Sequence, residues 1–216
     1  MTENKMFCFQ CQETAKGTGC TIKGVCGKEA ETSKWQDLLL SVVRGVGTIQ
    51  HTLGGNASKE VADFLVDALF STITNANFDD QSILNKVDTG IALKKQLLEA
   101  ALSKNITFPN YQEVHWGGEK SDYSAEGERE GVLRNENADL RSLKELTVLG
   151  LKGIAAYYDH AARLGETNEE IIAFICKALA TITAPDADME TLLGIVLETG
   201  KYGVDVMALL DKANTE

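Results

Sequence analysis

Apolar side chains recur along this chain at the spacing of a helix face in six stretches, and polar or glycine-rich breaks separate them. In the first, Trp35, Leu38, Leu39, Val42, Val43, Val46, Ile49 and Leu53 follow one another at helical intervals. Ser33 and Gln36 have the form of a capping box at its start, and Gly54-Gly55 stops it. A second helix is predicted over 58–74, with Val61, Phe64, Leu65, Ala68, Leu69 and Ile73 facing inward, and a third over 80–103. Residues 104–137 break the period with Pro109, Gly117, Gly118, Gly127 and Gly131, which predicts a linker. Helices resume over 138–164, then over 168–183 with a capping box of Thr167 and Glu170, then over 188–213 with a break near Gly200 and Gly203. No segment alternates convincingly as a strand does. The chain is therefore expected to be all-α.

The two halves echo each other. Shifts of 108 to 110 residues align Leu38, Arg44, Gly45 and Val46 with Leu146, Lys152, Gly153 and Ile154. They also align Thr72-Ile73-Thr74 with Thr181-Ile182-Thr183, and Asp88-Thr89-Gly90 with Glu198-Thr199-Gly200. Matches in the same order within each helix triplet predict two related three-helix bundles. The organisation expected is a loop-rich segment over 1–31, a first bundle over 32–103, a linker over 104–137 and a second bundle over 138–216.

Charge narrows the function classes. The 216 residues carry a net −11, which argues against nucleic acid and against an anionic membrane surface as partners. No apolar run approaches the roughly 18 residues that cross a bilayer. The polar start, Met1 to Lys5, has no signal core, so the cytoplasm is the expected compartment. In that reducing setting, clustered cysteines are more often metal ligands or redox centres than disulfides.

Four of the 5 cysteines lie in the first segment, as Cys8-x2-Cys11-x8-Cys20-x5-Cys26. The x2 pair lets one turn present two thiolates to one centre. Gly17, Gly19, Gly24 and Gly27 allow the backbone to close in on a bound anion. Residues 1–28 hold Lys5, Lys16, Lys23 and Lys28 against Glu3 and Glu13, a balance of +2, which leaves −13 for the rest of the chain. Spacing alone leaves three readings open: an iron–sulfur cluster, a structural zinc site on the four thiolates that would staple a helical interaction module, and free thiols or a disulfide.

The stretch Met6-Phe7-Cys8-Phe9-Gln10-Cys11-Gln12-Glu13-Thr14-Ala15 and its continuation from Gly19 to Lys28 resemble the N-terminus of the hybrid cluster proteins. That family is also known as the prismane proteins or hydroxylamine reductases. The resemblance continues through Leu69–Asp80, Glu136–Gly165 and Met207–Thr215, and is weakest in the linker. It implies an all-helical N-terminal domain of two three-helix bundles. It implies that Cys8, Cys11, Cys20 and Cys26 bind a cubane [4Fe–4S] cluster, although relatives with wider spacing carry [2Fe–2S]. It implies an oxidoreductase that reduces hydroxylamine to ammonia, with a link to nitric oxide and nitrosative stress. The chemistry of that family takes place at a separate hybrid iron–sulfur–oxygen cluster held by His, Glu and Cys residues of later domains. None of those ligands maps onto this chain, so the chain alone is expected to relay electrons without catalysing the reaction. The implied partners are a redox donor protein, the remaining domains of the family protein and a homo-oligomer.

Other candidates read as structural. Cys176 lies on an apolar helix face, and His51, His115 and His160 have no neighbour in sequence that suggests catalysis. Gly150 and Gly153 are expected to permit close helix packing. Glu126, Glu128 and Glu130 are expected to form a solvated face of the linker.

Overall fold

Ten consecutive residues of the first helix, Ser41 to Gln50, are buried. The middle of helix α1 (Ala30–Leu53) is thus enclosed on every side, beyond the single apolar stripe its periodicity predicts. Its second face is lined by Ser41, Gly45, Gly47 and Thr48. Small side chains there let neighbours approach closely. A Cβ on Gly45 would collide with the Glu113 carbonyl, and one on Gly47 with the Leu179 side chain.

The computed structural model describes residues 5–102 and 104–215. Residues 1–4, 103 and 216, the tips of three expected segments, lie outside the described residues. Helices α2 (Lys59–Ser71) and α3 (Asp80–Leu102) complete the first triplet. Next come two short helices, α4 (Gln112–His115) and α5 (Tyr123–Arg129), with 3-10 turns at Lys120–Asp122 and Val132–Arg134. The second triplet is α6 (Ala138–Arg163), α7 (Glu169–Thr183) and α8 (Met189–Thr215). The triplets run to 24, 13 and 23 residues and then 26, 15 and 27, a shared long–short–long order. The protein is all-α, with no strand among the described residues. The triplets also interlock: α1 packs on α7 as well as α3, α2 packs on α6, and one apolar core runs through both.

Several boundaries differ from the periodic reading. Helix α1 starts at Ala30, so Ser33 and Gln36 are buried inside it and form no cap. Gln36 is instead held by Lys28, as described below. At α7 the cap is Asn168, whose side chain accepts from the Glu170 and Ile171 amides at 2.8 and 3.4 Å, where Thr167 was expected. Helix α8 runs unbroken through Gly200 and Gly203, where a Cβ would meet nothing within 4 Å. A Cβ on Gly150 would strike Thr199, as close packing requires, but Gly153 faces open space.

The stretch between the triplets packs on α1. Glu126 and Glu130 are buried, against the expectation of a solvated face, and only Glu128 of the three is exposed. Arg44 of α1 donates to Glu130 Oε2 at 2.8 Å. Arg129 bridges Glu126 and Glu130 at 2.6 and 2.5 Å, and Arg134 bridges Glu113 at 2.7 Å and Glu130. Three guanidinium groups thus neutralise three buried carboxylates, with Glu130 at the centre.

Candidate metal centre

The first cysteine segment is pinned to the third by backbone. The Cys8 amide donates to the Cys20 carbonyl at 3.1 Å and the Cys20 amide to the Cys8 carbonyl at 2.8 Å. Lys5 and Met6 add amide bonds to the Thr21 carbonyl. This isolated antiparallel bridge fixes Cys8 beside Cys20 across the eleven residues between them. A turn closed from the Thr14 amide to the Cys11 carbonyl at 3.3 Å carries Cys11. Cys26 sits in a second turn, closed from the Gly24 amide to the Lys28 carbonyl at 2.8 Å and from the Gly27 amide to the Gly24 carbonyl at 2.9 Å. Gly27, at φ 94°, adopts the left-handed conformation which that closure demands.

Donors converge on two of the sulfurs. The Ala15 amide points at Cys20 Sγ at 3.4 Å, and the Thr14 hydroxyl lies 3.7 Å from it. Burial opposes ionisation of Cys20. Hydrogen bonds from the Ala15 and Val25 backbone and from Thr14, with the charge of Lys28, outweigh it and hold the thiol below its ordinary value. Lys28 Nζ lies 3.9 Å from Cys8 Sγ. Cys20 is buried, Cys8 and Cys11 are half-buried and Cys26 is exposed, and all four are free thiols.

The loop rests on two buried lysines. Lys28 donates to Gln36 Oε1 at 2.6 Å, and Gln36 donates onward to the Asn77 carbonyl at 3.0 Å. Lys152 of α6 donates to Gln10 Oε1 at 3.0 Å and to the Thr72 carbonyl at 2.9 Å. Gln10 also accepts from the Thr74 amide at 3.3 Å. A cavity of about 20 Å³ behind Cys8 is bordered by Asp37, Glu145 and Lys152. Burial, with repulsion from Glu145, pushes the Asp37 carboxyl up to about 7.

Four thiols, amide and hydroxyl donors aimed at sulfur, and buried ammonium groups suit a thiolate-ligated, negatively charged centre. Among the described residues, no three His, Cys, Asp or Glu side chains gather closely enough to hold a single ion. The loop contacts bring Cys8 and Cys20 together and leave Cys11 and Cys26 on turns of their own. The remaining candidates lie elsewhere. His51, His115 and His160 are exposed on α1, α4 and α6. Cys176 is buried in the core, its thiol pushed up to about 12 by desolvation.

Comparison with known proteins gives the family. The model of the Prismane/CO dehydrogenase family matches residues 6–216. The chain belongs to this family. A hydroxylamine reductase of Bacteroides thetaiotaomicron is 49% identical over 97% of this chain and 38% of its own length. One from Porphyromonas gingivalis is 48% identical over 99% of this chain and 40% of its own, and one from Desulfitobacterium hafniense 46% over 97% and 39%. The chain spans about two fifths of the length of the curated relatives it matches.

Sequence reasoning reached the cysteines and missed what supports them. Lys28 entered as part of a charge balance and Lys152 as the counterpart of Arg44 in the repeat, neither with a role at the site. One signal was available. Lys152 sits between Val148, Leu151, Ile154 and Ala155 on the buried face of α6, where a lysine needs a reason.

Proposed function

We propose that this chain is the electron-relaying N-terminal part of a hydroxylamine reductase-type protein of the cytoplasm, with a [4Fe–4S] cluster on Cys8, Cys11, Cys20 and Cys26. When bound, such a group supplies one-electron transfer. The reaction it serves would be NH2OH + 2e⁻ + 2H⁺ → NH3 + H2O, at a hybrid cluster held by the further domains of such a protein, with nitric oxide as a related substrate. A redox donor protein would supply the electrons.

The observation that carries this reading is the backbone bridge between Cys8 and Cys20, with the Ala15 amide and the Lys28 ammonium turned towards their sulfurs. These groups do three things for a thiolate centre. The bridge holds two ligands in place before any metal arrives. The amide and hydroxyl donors stabilise sulfur as thiolate. Phe7 and Phe9, whose rings pack 5.5 Å apart, flank Cys8 with apolar surface. Each thiolate ligand fills a coordination position, so four cysteines leave no open site for hydroxylamine.

The test uses anaerobic protein carrying the cluster. Dithionite should bleach the visible band reversibly. With a reduced viologen dye as donor, hydroxylamine consumption should match the protein-free blank. Replacing any of Cys8, Cys11, Cys20 or Cys26 by Ala should remove the reducible band. A band that does not respond to dithionite, or ammonia formed over many turnovers per chain, would overturn the proposal.

A further inference from the structure

Two ammonium groups are buried behind the cysteine loop with no carboxylate in ion-pair contact among the described residues. Lys28 is 1% exposed and Lys152 3%. Among the described residues, neither has a carboxylate oxygen within ion-pair distance. Of the other buried cations, Arg44 meets Glu130 at 2.8 Å, while Lys94 is held by the Glu113 and Trp116 backbone carbonyls, far from the loop. The partners of the two lysines are neutral: the Gln36 and Gln10 side-chain carbonyls and the Thr72 backbone carbonyl. Such acceptors satisfy N–H groups but do not cancel charge, and an uncancelled buried charge is strongly destabilising.

The two side chains converge on one place. Lys28 Nζ is 3.9 Å from Cys8 Sγ, and Lys152 grips Gln10, which lies between Cys8 and Cys11. Lys28 bears on Lys152: burial, then the charge of Lys28, lowers the Lys152 ammonium to about 8, while Glu145, Asp37 and Cys8 act in the opposite direction. Glu145 and Asp37 are poor counter-charges, because burial itself holds both towards the protonated form. The group on which both lysines bear is Cys8, whose sulfur Lys28 approaches and which acts on Lys152.

We propose that Lys28 and Lys152 are the built-in counter-charge of the thiolate centre, setting its reduction potential and its retention rather than anchoring the fold. This rests on the cluster reading above. A positive charge close to the centre favours the more negative, reduced form, so removing one lowers the potential. Both lysines are positioning residues for electron transfer.

The experiment compares the wild-type chain with Lys152→Met and Lys28→Met. Iron and acid-labile sulfide are measured first, then the midpoint potential by dye-mediated titration with dithionite. Thermal unfolding of the metal-free proteins is followed by circular dichroism. Either variant should shift the reduction equilibrium at least tenfold towards the oxidised form, about 59 mV for a one-electron couple, or release its iron. The metal-free variants should be as stable as wild type or more so, since an uncancelled buried charge has gone. Cluster-bearing variants with an unchanged potential, or metal-free variants that unfold at lower temperature, would show lysines that merely anchor the loop and would overturn this inference alone. A wild-type chain that takes up no iron and sulfide would overturn the cluster reading, and this inference with it.

Discussion

Asp37 shows how burial near the loop becomes a pH effect. Its carboxyl sits at about 7 against an ordinary 3.8, so the folded protein binds a proton that the unfolded chain has released. Stability contributed by that proton is full below about pH 4 and is lost as the pH rises through 7. Asp37→Asn should therefore raise the denaturation midpoint at pH 8 and leave it unchanged at pH 4. An equal gain at both values would mean that titration of Asp37 is not the cause. Cys176 is the contrasting case, a thiol kept neutral by the core. Cys176→Ala should retain all its iron and lose about 1 kcal/mol in chemical denaturation. Candidate cysteine ligands are legible in sequence because spacing and glycine content are local properties. Lys28 and Glu130 are not, because a charged side chain gives no local sign that partners far along the chain will bury it; Lys152 shows only in its place among the apolar positions of α6.

The helices themselves follow from periodicity, and their ends depend on what they touch. The apparent capping box at Ser33 fails because Lys28 captures Gln36 and draws the helix start back to Ala30. The short helices α4 and α5 have too few residues to show a period. Contact with α1 makes them, above all the approach of the Glu113 carbonyl to Gly45. Two glycine substitutions separate these effects. Gly45→Ala should destabilise by about 1–3 kcal/mol, since α4 must shift to admit a methyl group. Gly200→Ala, inside α8 and facing open space, should stabilise by about 0.5–1 kcal/mol. Denaturant midpoints moving in opposite directions would match this packing. A stabilising Gly45→Ala would contradict it.

At the scale of the molecule, the fold presents a cysteine loop on a platform of α1, α2 and α6. Lys28 reaches from the loop to α1, Lys152 reaches from α6 to the loop and to the end of α2, and Asp37 and Glu145 border the cavity between the two long helices. That joining of the halves was out of reach of the repeat pattern, which relates α1 to α6 without showing that each half buries surface of the other. It places the loop against both triplets at once. No helix among the described residues is long and apolar enough to cross a membrane. The family match covers the loop and the whole platform together. The central claim is that the four cysteines hold an iron–sulfur cluster, and metal analysis of anaerobically prepared protein tests it most directly. The account predicts a brown protein with broad absorbance near ~400 nm and about four irons and four sulfides per chain, falling on replacement of Cys8 or Cys20. A colourless protein carrying one zinc per chain would contradict it.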